Sequence, residues 1–303
     1  MKVSWLVPVR DEPRLDEALA SIELEPGDEI VVVDDGSVEA VPGAHRIERS
    51  GLVPALEVGR GLCRNPLIAR LDADDLAFPG RIAAQRRVLV ENPRVAAVGG
   101  RARFAGSPGM AAYVDWVNTC DVMAERFVES TLFHPAVTFR AEAVEAVGGY
   151  RGALDGAPIP EDYDLWLRLA QGHLLARVDQ DVVEIRDSET RLTRTHPAYT
   201  REAFHRCRVE HLLPLLGPRA VAVHGAGKRG RAWLRALGER VVELSDVKPG
   251  GHRGRHRVQA LEQLRRFEVL LVAAPRAALP GLRARIERWR PDLVEGRDWF
   301  AVG

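Results

Sequence analysis

The hydrophobic pattern of the first hundred residues alternates between short apolar runs and amphipathic stretches. Apolar runs rich in β-branched residues occur at 3–9 (VSWLVPV), 29–35 (EIVVVDD), 67–73 (LIARLDA) and 95–100 (VAAVGG). The segments between them have the apolar spacing of helices that bury one face, for example at 80–90 (GRIAAQRRVLV). Strands that alternate with helices predict βαβ units, and therefore an α/β protein with a mostly parallel sheet covered by helices on both faces.

The middle of the chain has a less regular pattern. A helical pattern at 111–129 and a strand-like run at 134–140 (HPAVTFR) are followed by a Gly- and Pro-rich loop at 149–160. A helix is then predicted at 161–170 (EDYDLWLRLA). A loop of that length between regular elements is a common place for functional residues.

A second α/β unit is predicted after the pair Gly217-Pro218. A helical pattern ends at this pair, which is a typical helix stop, and the strand-helix alternation restarts with the run AVAVHG. We therefore predict two domains, residues 1–216 and a smaller one at 217–303.

Composition and charge exclude several functional classes. The 43 basic residues are balanced by 43 acidic ones, so no overall basic field favours nucleic acid as a partner. Cys63, Cys120 and Cys207 form no CxxC pair, which is typical of a reducing compartment and argues against a zinc site. No apolar run reaches the roughly 18 residues of a transmembrane helix. We predict a cytoplasmic protein without a transmembrane segment, and leave peripheral membrane association open.

Two of the predicted strands end in acidic residues. Asp34 and Asp35 close EIVVVDD, and Asp72, Asp74 and Asp75 follow LIAR. A turn needs only one Asp, and crowded carboxylates repel each other unless a cation or a donor-rich ligand offsets their charge. Because ligands of open α/β sheets bind beyond the carboxyl ends of the strands, the two ends can share one site. A hard divalent cation with oxygen ligands, Mg²⁺ or Mn²⁺, is one explanation of this pattern. The alternatives are an Asp-Gly turn after Asp34 and a solvated acidic loop at 72–75.

A third acidic group comprises Glu161, Asp162 and Asp164, directly after Pro160. Two interpretations stay open for this group. Pro followed by acids is a common first turn of a helix, where the macrodipole stabilises negative charge. A carboxylate in such a place can also serve as a general base.

In their order and spacing, these segments resemble family 2 of the glycosyltransferases. The matching motifs are PVRDE, VVVDDGS, IARLDADDLAFPGRIAAQ, FHPAVTFRAEAVEAVGGYR and PEDYDLWLRL, and the resemblance ends near His211. It implies the GT-A nucleotide-diphospho-sugar transferase fold. It also implies an inverting, metal-dependent enzyme that moves a sugar from a nucleotide-sugar donor to an acceptor hydroxyl, in glycan or cell-surface polysaccharide biosynthesis.

The resemblance further implies roles for the acids at the strand ends. Asp34 or Asp35 would contact the nucleotide base, and Asp72 would reach the ribose. Asp74 would bind the divalent cation that bridges the diphosphate, with Asp75 supporting that metal site.

The remaining predicted roles concern the donor pocket and the acceptor. His134 and Arg81 are predicted on the donor side, although a buried structural histidine is an equally good interpretation of His134. Asp162 would be the general base, and Glu161 and Asp164 would be its neighbours on the acceptor side. One base and a single displacement invert the anomeric centre, whereas retention would need a carboxylate nucleophile.

Two other functions compete with this prediction. A nucleotidyltransferase also places acidic strand ends around a metal and a nucleotide, but it leaves PEDYDLW without a role. A scaffold that senses a nucleotide or nucleotide sugar without turnover would keep the same fold. The sequence does not identify the acceptor, which could be a glycan, a lipid-linked molecule or a small molecule.

A Gly-rich element opens the predicted C-terminal domain. Gly225, Gly227 and Gly230 have GxGxxG spacing between a predicted strand and helix, a context typical of phosphate binding. Asp246 lies near the place of a ribose-binding acid. The unit resembles small Rossmann-like modules appended to sugar-modifying enzymes. Structural, nucleotide-sensing and redox roles stay open for it.

Overall fold

The chain folds into two compact units. The computed structural model describes residues 1–105, 107–187 and 192–303. The first unit comprises Met1–Met123 and Ser130–Phe204, and the second comprises Ala124–Glu129 and His205–Gly303. The division between Phe204 and His205 precedes the predicted boundary between residues 216 and 217, which stays a prediction.

The first unit contains the longer series of strands and helices. Its strands are β1 (Val3–Val9), β2 (Glu29–Asp35), β3 (His45–Ile47), β4 (Leu67–Arg70), β5 (Leu76–Ala77), β6 (Val95–Ala105), β7 (Thr138–Arg140), β8 (Ala153–Leu154), β9 (Ala157–Pro158) and β10 (Leu174–Arg186). Its helices are α1 (Leu15–Ala20), α2 (Leu52–Leu62), α3 (Arg81–Glu91), α4 (Pro108–Thr119), α5 (Ala141–Ala146), α6 (Glu161–Leu169) and α7 (Leu192–Thr195). Short 3-10 turns occur at His134–Ala136 and Pro197–Tyr199, and α8 (Arg201–Leu216) contains the division between the units.

A single large sheet forms the centre of the first unit. Among the described residues it has eight strands, in the order β3-β2-β1-β4-β7-β6-β10-β5. β1 pairs in parallel with β2 and β4, and β6 pairs in parallel with β10. β7 runs antiparallel to both of its neighbours, β4 and β6. The sheet is therefore mixed but mostly parallel.

The burial of the central strands explains their sequences. All residues of β1 and β4 are buried, because strands flank them on both sides and helices cover both faces, so their sequences are almost continuously apolar. β1, β2 and β4 run in the same direction, so their carboxyl ends meet at one edge of the sheet. Asp35 ends β2 and Arg70 ends β4 at this edge. The predicted acidic segments therefore lie next to each other.

The second unit contains a smaller, mostly parallel sheet. Its strands are β11 (Val221–His224), β12 (Val241–Ser245), β13 (His252–Arg253), β14 (His256–Gln259), β15 (Val269–Val272) and β16 (Trp299–Ala301). Its helices after α8 are α9 (Lys228–Leu237) and α10 (Leu279–Trp289), with 3-10 turns at Gly238–Arg240, Leu261–Gln263 and Arg276–Ala278. In the described part of the chain, the sheet order is β13-β14-β12-β11-β15-β16, and only β13 and β14 pair antiparallel.

One predicted helix is shorter than its pattern suggested. The helical pattern at 111–129 ends as a helix at Thr119, and residues 124–129 join the second unit instead. The ring of Phe127 packs edge-on against Phe300 with centroids 6.0 Å apart. The backbone N–H of Gly303 donates to the carbonyl of Phe127 over 2.9 Å. Apolar residues along one sequence pattern are thus buried in two different cores.

None of the described helices combines the length and the apolar composition that crossing a bilayer requires.

Candidate functional site

The acidic triplet follows β4 in a tight turn. The backbone N–H of Asp75 donates to the carbonyl of Asp72 over 3.2 Å, which folds the chain back directly after the strand. Each of Asp72, Asp74 and Asp75 offers a carboxylate oxygen, and these three oxygens lie within 4.8 Å of one another. Oxygen ligands at this spacing fit a divalent cation such as Mg²⁺ or Mn²⁺.

Two arginines and a backbone amide contact the triplet. The guanidinium of Arg70 donates to the Asp72 carboxylate, and that of Arg14 lies 3.4 Å from Asp74. Asp75 accepts a hydrogen bond of 2.9 Å from the backbone N–H of Arg186. These contacts offset part of the negative charge and hold each carboxylate in place.

The carboxylates of Asp34 and Asp35 bind the segments between β2 and α2. Asp34 is buried and accepts from the backbone N–H of Ser37 over 2.8 Å and from Arg46 over 2.7 Å. Burial alone would raise the pKa of Asp34, but its hydrogen bonds and the Arg46 charge outweigh that effect and lower the pKa. Asp35 accepts from the backbone N–H groups of Ser50 and Gly51. Both side chains therefore shape the edge of the site.

The pair Glu161 and Asp162 opens helix α6, directly after Pro160. Glu161 is 4% exposed, and the hydroxyl of Tyr199 donates to its Oε2 over 2.7 Å. Asp162 is partly exposed, and its Oδ1 accepts from the backbone N–H of Tyr163 over 2.6 Å. Glu161 is therefore buried and held by the Tyr199 hydroxyl, whereas Asp162 is accessible to a ligand.

Burial and mutual repulsion shift the pKa values of Glu161 and Asp162. Burial raises the pKa of Glu161, and the hydrogen bond from Tyr199 opposes this rise. Burial also raises the pKa of Asp162 well above its ordinary value, and the charge of Glu161 adds to that rise. The charge of Asp72 adds to the rise in the pKa of both carboxyls. A carboxyl with a pKa shifted toward neutrality is a suitable general base.

His134 lies on the buried side of this pair. Its Nε2 is 2.9 Å from the hydroxyl of Tyr150, and its Nδ1 is 3.7 Å from Oε1 of Glu161. Burial, together with the Arg70 charge, lowers the pKa of His134 well below its ordinary value. The imidazole is therefore neutral at physiological pH.

Two of the predicted residues have their charged groups in the protein interior. The guanidinium of Arg81 is 1% exposed and donates to the carbonyls of Arg70 and Pro135, each over 2.7 Å. It thus fastens the last residue of β4, and its predicted contact with the donor stays a prediction. Asp164 is fully buried and pairs with Arg151 and Arg168 over 2.8 Å, which ties the loop before α6 to the helix.

The glycine loop of the second unit has distinct constraints at each glycine. Gly225 has φ +109°, and a Cβ there would lie 2.4 Å from the carbonyl oxygen of Ala273. A Cβ on Gly230 would lie 1.6 Å from the carbonyl oxygen of Gly225, so helix α9 packs directly on the turn. A Cβ on Gly227 would meet nothing within 4 Å. Asp246 accepts from the backbone N–H of Ala226 over 2.6 Å.

Sequence reasoning missed three residues of the site in the first unit. Arg70 belongs to an apolar run and is fully buried, so its pattern gave no sign of a charge inside the site. Arg14 and Tyr199 contact Asp74 and Glu161 from segments 60 and 38 positions away in the chain. Arg14 lies next to one of the quoted motifs, two residues after PVRDE.

Comparisons with known proteins support the predicted resemblance. Residues 4–134 match the model of Glycosyl transferase family 2. Over 198 residues the chain is 26% identical to the amylovoran biosynthesis glycosyltransferase AmsE of Erwinia amylovora, covering 57% of this chain and 70% of AmsE. Over 126 residues it is 27% identical to the O-antigen biosynthesis glycosyltransferase WbnJ of Escherichia coli, covering 41% of this chain and 48% of WbnJ.

The fold has a counterpart of known structure. Residues 1–349 of S. aureus TarS, in complex with UDP-GlcNAc, superpose with a TM-score of 0.54 at 15% identity. The match covers 72% of this chain and 67% of that one. The predicted GT-A fold is confirmed, and a second domain built on a sheet accompanies it.

Proposed function

We propose that this chain is an inverting, metal-dependent glycosyltransferase of family 2 that transfers a sugar from a nucleoside diphosphate donor to an acceptor hydroxyl. The observation that carries the proposal is the arrangement of the Asp72–Asp75 turn and the Glu161–Asp162 pair. Arg81 joins the end of β4 to the turn that contains His134, and Nδ1 of His134 lies 3.7 Å from Oε1 of Glu161. The names of AmsE and WbnJ support a role in polysaccharide biosynthesis.

Asp74 and Asp75 of the acidic triplet would hold the cation. Asp74 is the proposed main ligand, because it is partly exposed and its carboxylate oxygen lies within 4.8 Å of those of Asp72 and Asp75. Asp75 is held by the backbone of Arg186 and would support the site from the buried side. A divalent cation bound there would neutralise charge that develops on the leaving diphosphate.

Asp162 is the proposed general base. As the acceptor oxygen forms its bond to the anomeric carbon, the bond from that carbon to the diphosphate oxygen breaks, and the Asp162 carboxylate takes the hydroxyl proton. Glu161 is only 4% exposed, so its carboxylate is poorly placed to attack the donor as a nucleophile. A single displacement with one base inverts the anomeric centre.

The other predicted residues support this site. Asp34 and Asp35 would present the loops at the end of β2 to the nucleotide base, and Asp72 would reach the ribose. His134 would border the donor pocket as a neutral group, next to Glu161. Arg81 would act indirectly, by fixing the backbone of Arg70 immediately before the acidic turn.

A ligand screen followed by product analysis tests the proposal. Nucleotide sugars are added to the full chain with and without Mn²⁺, and we expect one donor class to raise the melting temperature only when Mn²⁺ is present. That donor is then incubated with candidate acceptors, and we expect free nucleoside diphosphate and an inverted glycoside. Release of pyrophosphate would identify a nucleotidyltransferase instead, and binding without turnover would identify a sensing scaffold.

For the second unit we propose a Rossmann-like fold. The strand order β14-β12-β11-β15-β16 reads as 3-2-1-4-5 in chain order, which is the order of a doubly wound dinucleotide-binding sheet. The glycine loop follows the first of these strands, β11, and precedes helix α9. A nucleotide site at Gly225, Gly227, Gly230 and Asp246 stays a prediction.

Gly227 is the position that tests this nucleotide site. Its φ of −77° and the open space around it allow a side chain without strain, so Gly227→Val should leave the melting temperature unchanged. If the loop binds a nucleotide, calorimetric titration of the full chain with NAD, NADP and nucleotide sugars should show a binding event that Gly227→Val removes while sugar transfer persists. Gly225→Ala is the contrasting variant and should destabilise the fold, because φ is +109° there. If Gly227→Val removes no binding event that the wild type shows, the glycine loop binds none of these ligands, and a structural role is left for the second unit.

A further inference from the structure

The phenol of Tyr199 reaches the catalytic pair from a separate segment. Tyr199 ends the 3-10 turn Pro197–Tyr199, and its hydroxyl donates to Oε2 of Glu161 over 2.7 Å. Glu161 itself is 4% exposed, so water has little access to this carboxylate. A hydrogen bond to a buried carboxylate is stronger than the same bond in water, because the surroundings screen it weakly.

The contacts on the other side of Glu161 do not replace this bond. Nδ1 of His134 is 3.7 Å from Oε1 of Glu161, which is beyond hydrogen-bond distance. Burial and then the Arg70 charge lower the pKa of His134, so this imidazole is neutral and provides no counter-charge. Tyr199 is therefore the side chain that stabilises the ionised form of Glu161 by direct hydrogen bonding.

Several titratable or charged groups face the pair. They are Tyr199 from the 3-10 turn, His134 from the turn before β7, Tyr150 from the loop after α5, Arg70 from β4 and Asp72 from the acidic turn. Arg70 favours the ionised form of Glu161, whereas the charge of Asp72 disfavours it. Burial raises the pKa of both carboxyls, and ionised Glu161 raises that of Asp162 further. The protonation of the two groups is thus linked.

We propose that Tyr199 is a positioning residue that keeps Glu161 ionised, so that the adjacent negative charge makes Asp162 a stronger proton acceptor. The inference rests on the proposed function, because it assigns Tyr199 to the same reaction. In the reaction the acceptor hydroxyl loses its proton to Asp162. Glu161 remains a carboxylate that accepts the hydrogen bond from Tyr199 throughout. In this role Tyr199 acts through its hydrogen bond to Glu161.

The proposal predicts the direction of a change in the pH profile. Without the phenol, Glu161 keeps its own proton to a higher pH, and Asp162 then ionises beside a neutral neighbour. Asp162 therefore loses its proton at a lower pH than in the wild type and becomes a weaker base. For Tyr199→Phe we expect the acidic limb of the kcat/KM profile to shift to lower pH by about one unit, and kcat to fall by about tenfold.

Matched variants separate this role from a structural one. Tyr113→Phe removes a phenol hydroxyl of the same unit that donates to the carbonyl of Ser130 over 3.3 Å, and it should leave the pH profile unchanged. Glu161→Gln removes the neighbouring charge directly and should move the acidic limb in the same direction as Tyr199→Phe. If the two residues act as one unit, adding Tyr199→Phe to Glu161→Gln should cause no further shift.

The outcomes are distinct from those that test the function itself. A wild-type protein without transfer activity would refute the proposed function. With an active wild type, an unchanged acidic limb in Tyr199→Phe, or additive shifts in the double variant, would overturn the role of Tyr199. If Tyr199→Phe unfolds at a lower temperature than the wild type, Glu161→Gln remains a test. An unchanged acidic limb of the kcat/KM profile in Glu161→Gln would show that the charge of Glu161 does not affect Asp162, and would overturn the proposal.

Discussion

Asp162→Asn is expected to abolish sugar transfer, with kcat lowered by a factor of about 100 or more, because the amide cannot take the acceptor proton. The asparagine oxygen can still accept the 2.6 Å hydrogen bond from the backbone N–H of Tyr163, so the start of helix α6 is preserved. Donor binding should be retained, since the change removes the base and leaves the acidic turn intact. The measurement is kcat at saturating donor, together with the thermal shift caused by the donor and Mn²⁺.

The stability of this variant provides an internal check. Folding raises the pKa of Asp162, through burial and the neighbouring Glu161, so the folded state loses stability as the pH rises from the ordinary aspartate pKa through the raised one. Asparagine has no such penalty, and Asp162→Asn should melt no lower than the wild type at neutral pH. Asp115→Asn, on the exposed face of α4, is the matched control and should keep full activity. Turnover of Asp162→Asn near the wild-type rate would refute its assignment as the base.

The sequence predicted the central part of the fold because its strands are buried on both faces. The predicted strands at 3–9 and 29–35 have the same bounds as β1 and β2. The pattern failed where tertiary contacts override it. Helical spacing continues from residue 111 to 129, yet the helix ends at Thr119 because Phe127 belongs to the core of the second unit. The short strand β16 has too few residues to give a periodic signal.

The sequence motifs predicted the acidic residues of the candidate site but not the residues that contact them. Acids at strand ends can be recognised in the sequence, because the end of a parallel strand has a known place in the fold. Arg70 shows what such reasoning misses, since an arginine inside an apolar run usually points to solvent, yet here it is fully buried and donates to Asp72. Contacts between distant segments, such as Tyr199 with Glu161, depend on how the loops pack and have no local sequence signal.

Asp74→Ala is expected to abolish transfer and to remove the dependence of donor binding on the cation. Loss of a main ligand should lower kcat/KM on the order of 1,000-fold, because the charge stabilisation that a bound metal supplies to a leaving group is worth several kcal/mol. The fold should survive, since Asp74 is partly exposed and its removal relieves repulsion within a triplet whose oxygens lie within 4.8 Å. The decisive measurement is the thermal shift caused by the donor at increasing Mn²⁺, compared between the wild type and Asp74→Ala.

Two comparisons test whether the effect of Asp74→Ala is specific to the metal site. Asp16→Ala removes an exposed carboxylate of α1 and should change neither the Mn²⁺ dependence nor the rate. Asp74→Ala and Asp162→Asn should differ in one respect: the first loses the donor-dependent thermal shift with Mn²⁺, and the second keeps it. If Asp74→Ala retains that shift and loses only turnover, the cation is held by other groups, and Asp74 acts on the transferred sugar rather than on the diphosphate.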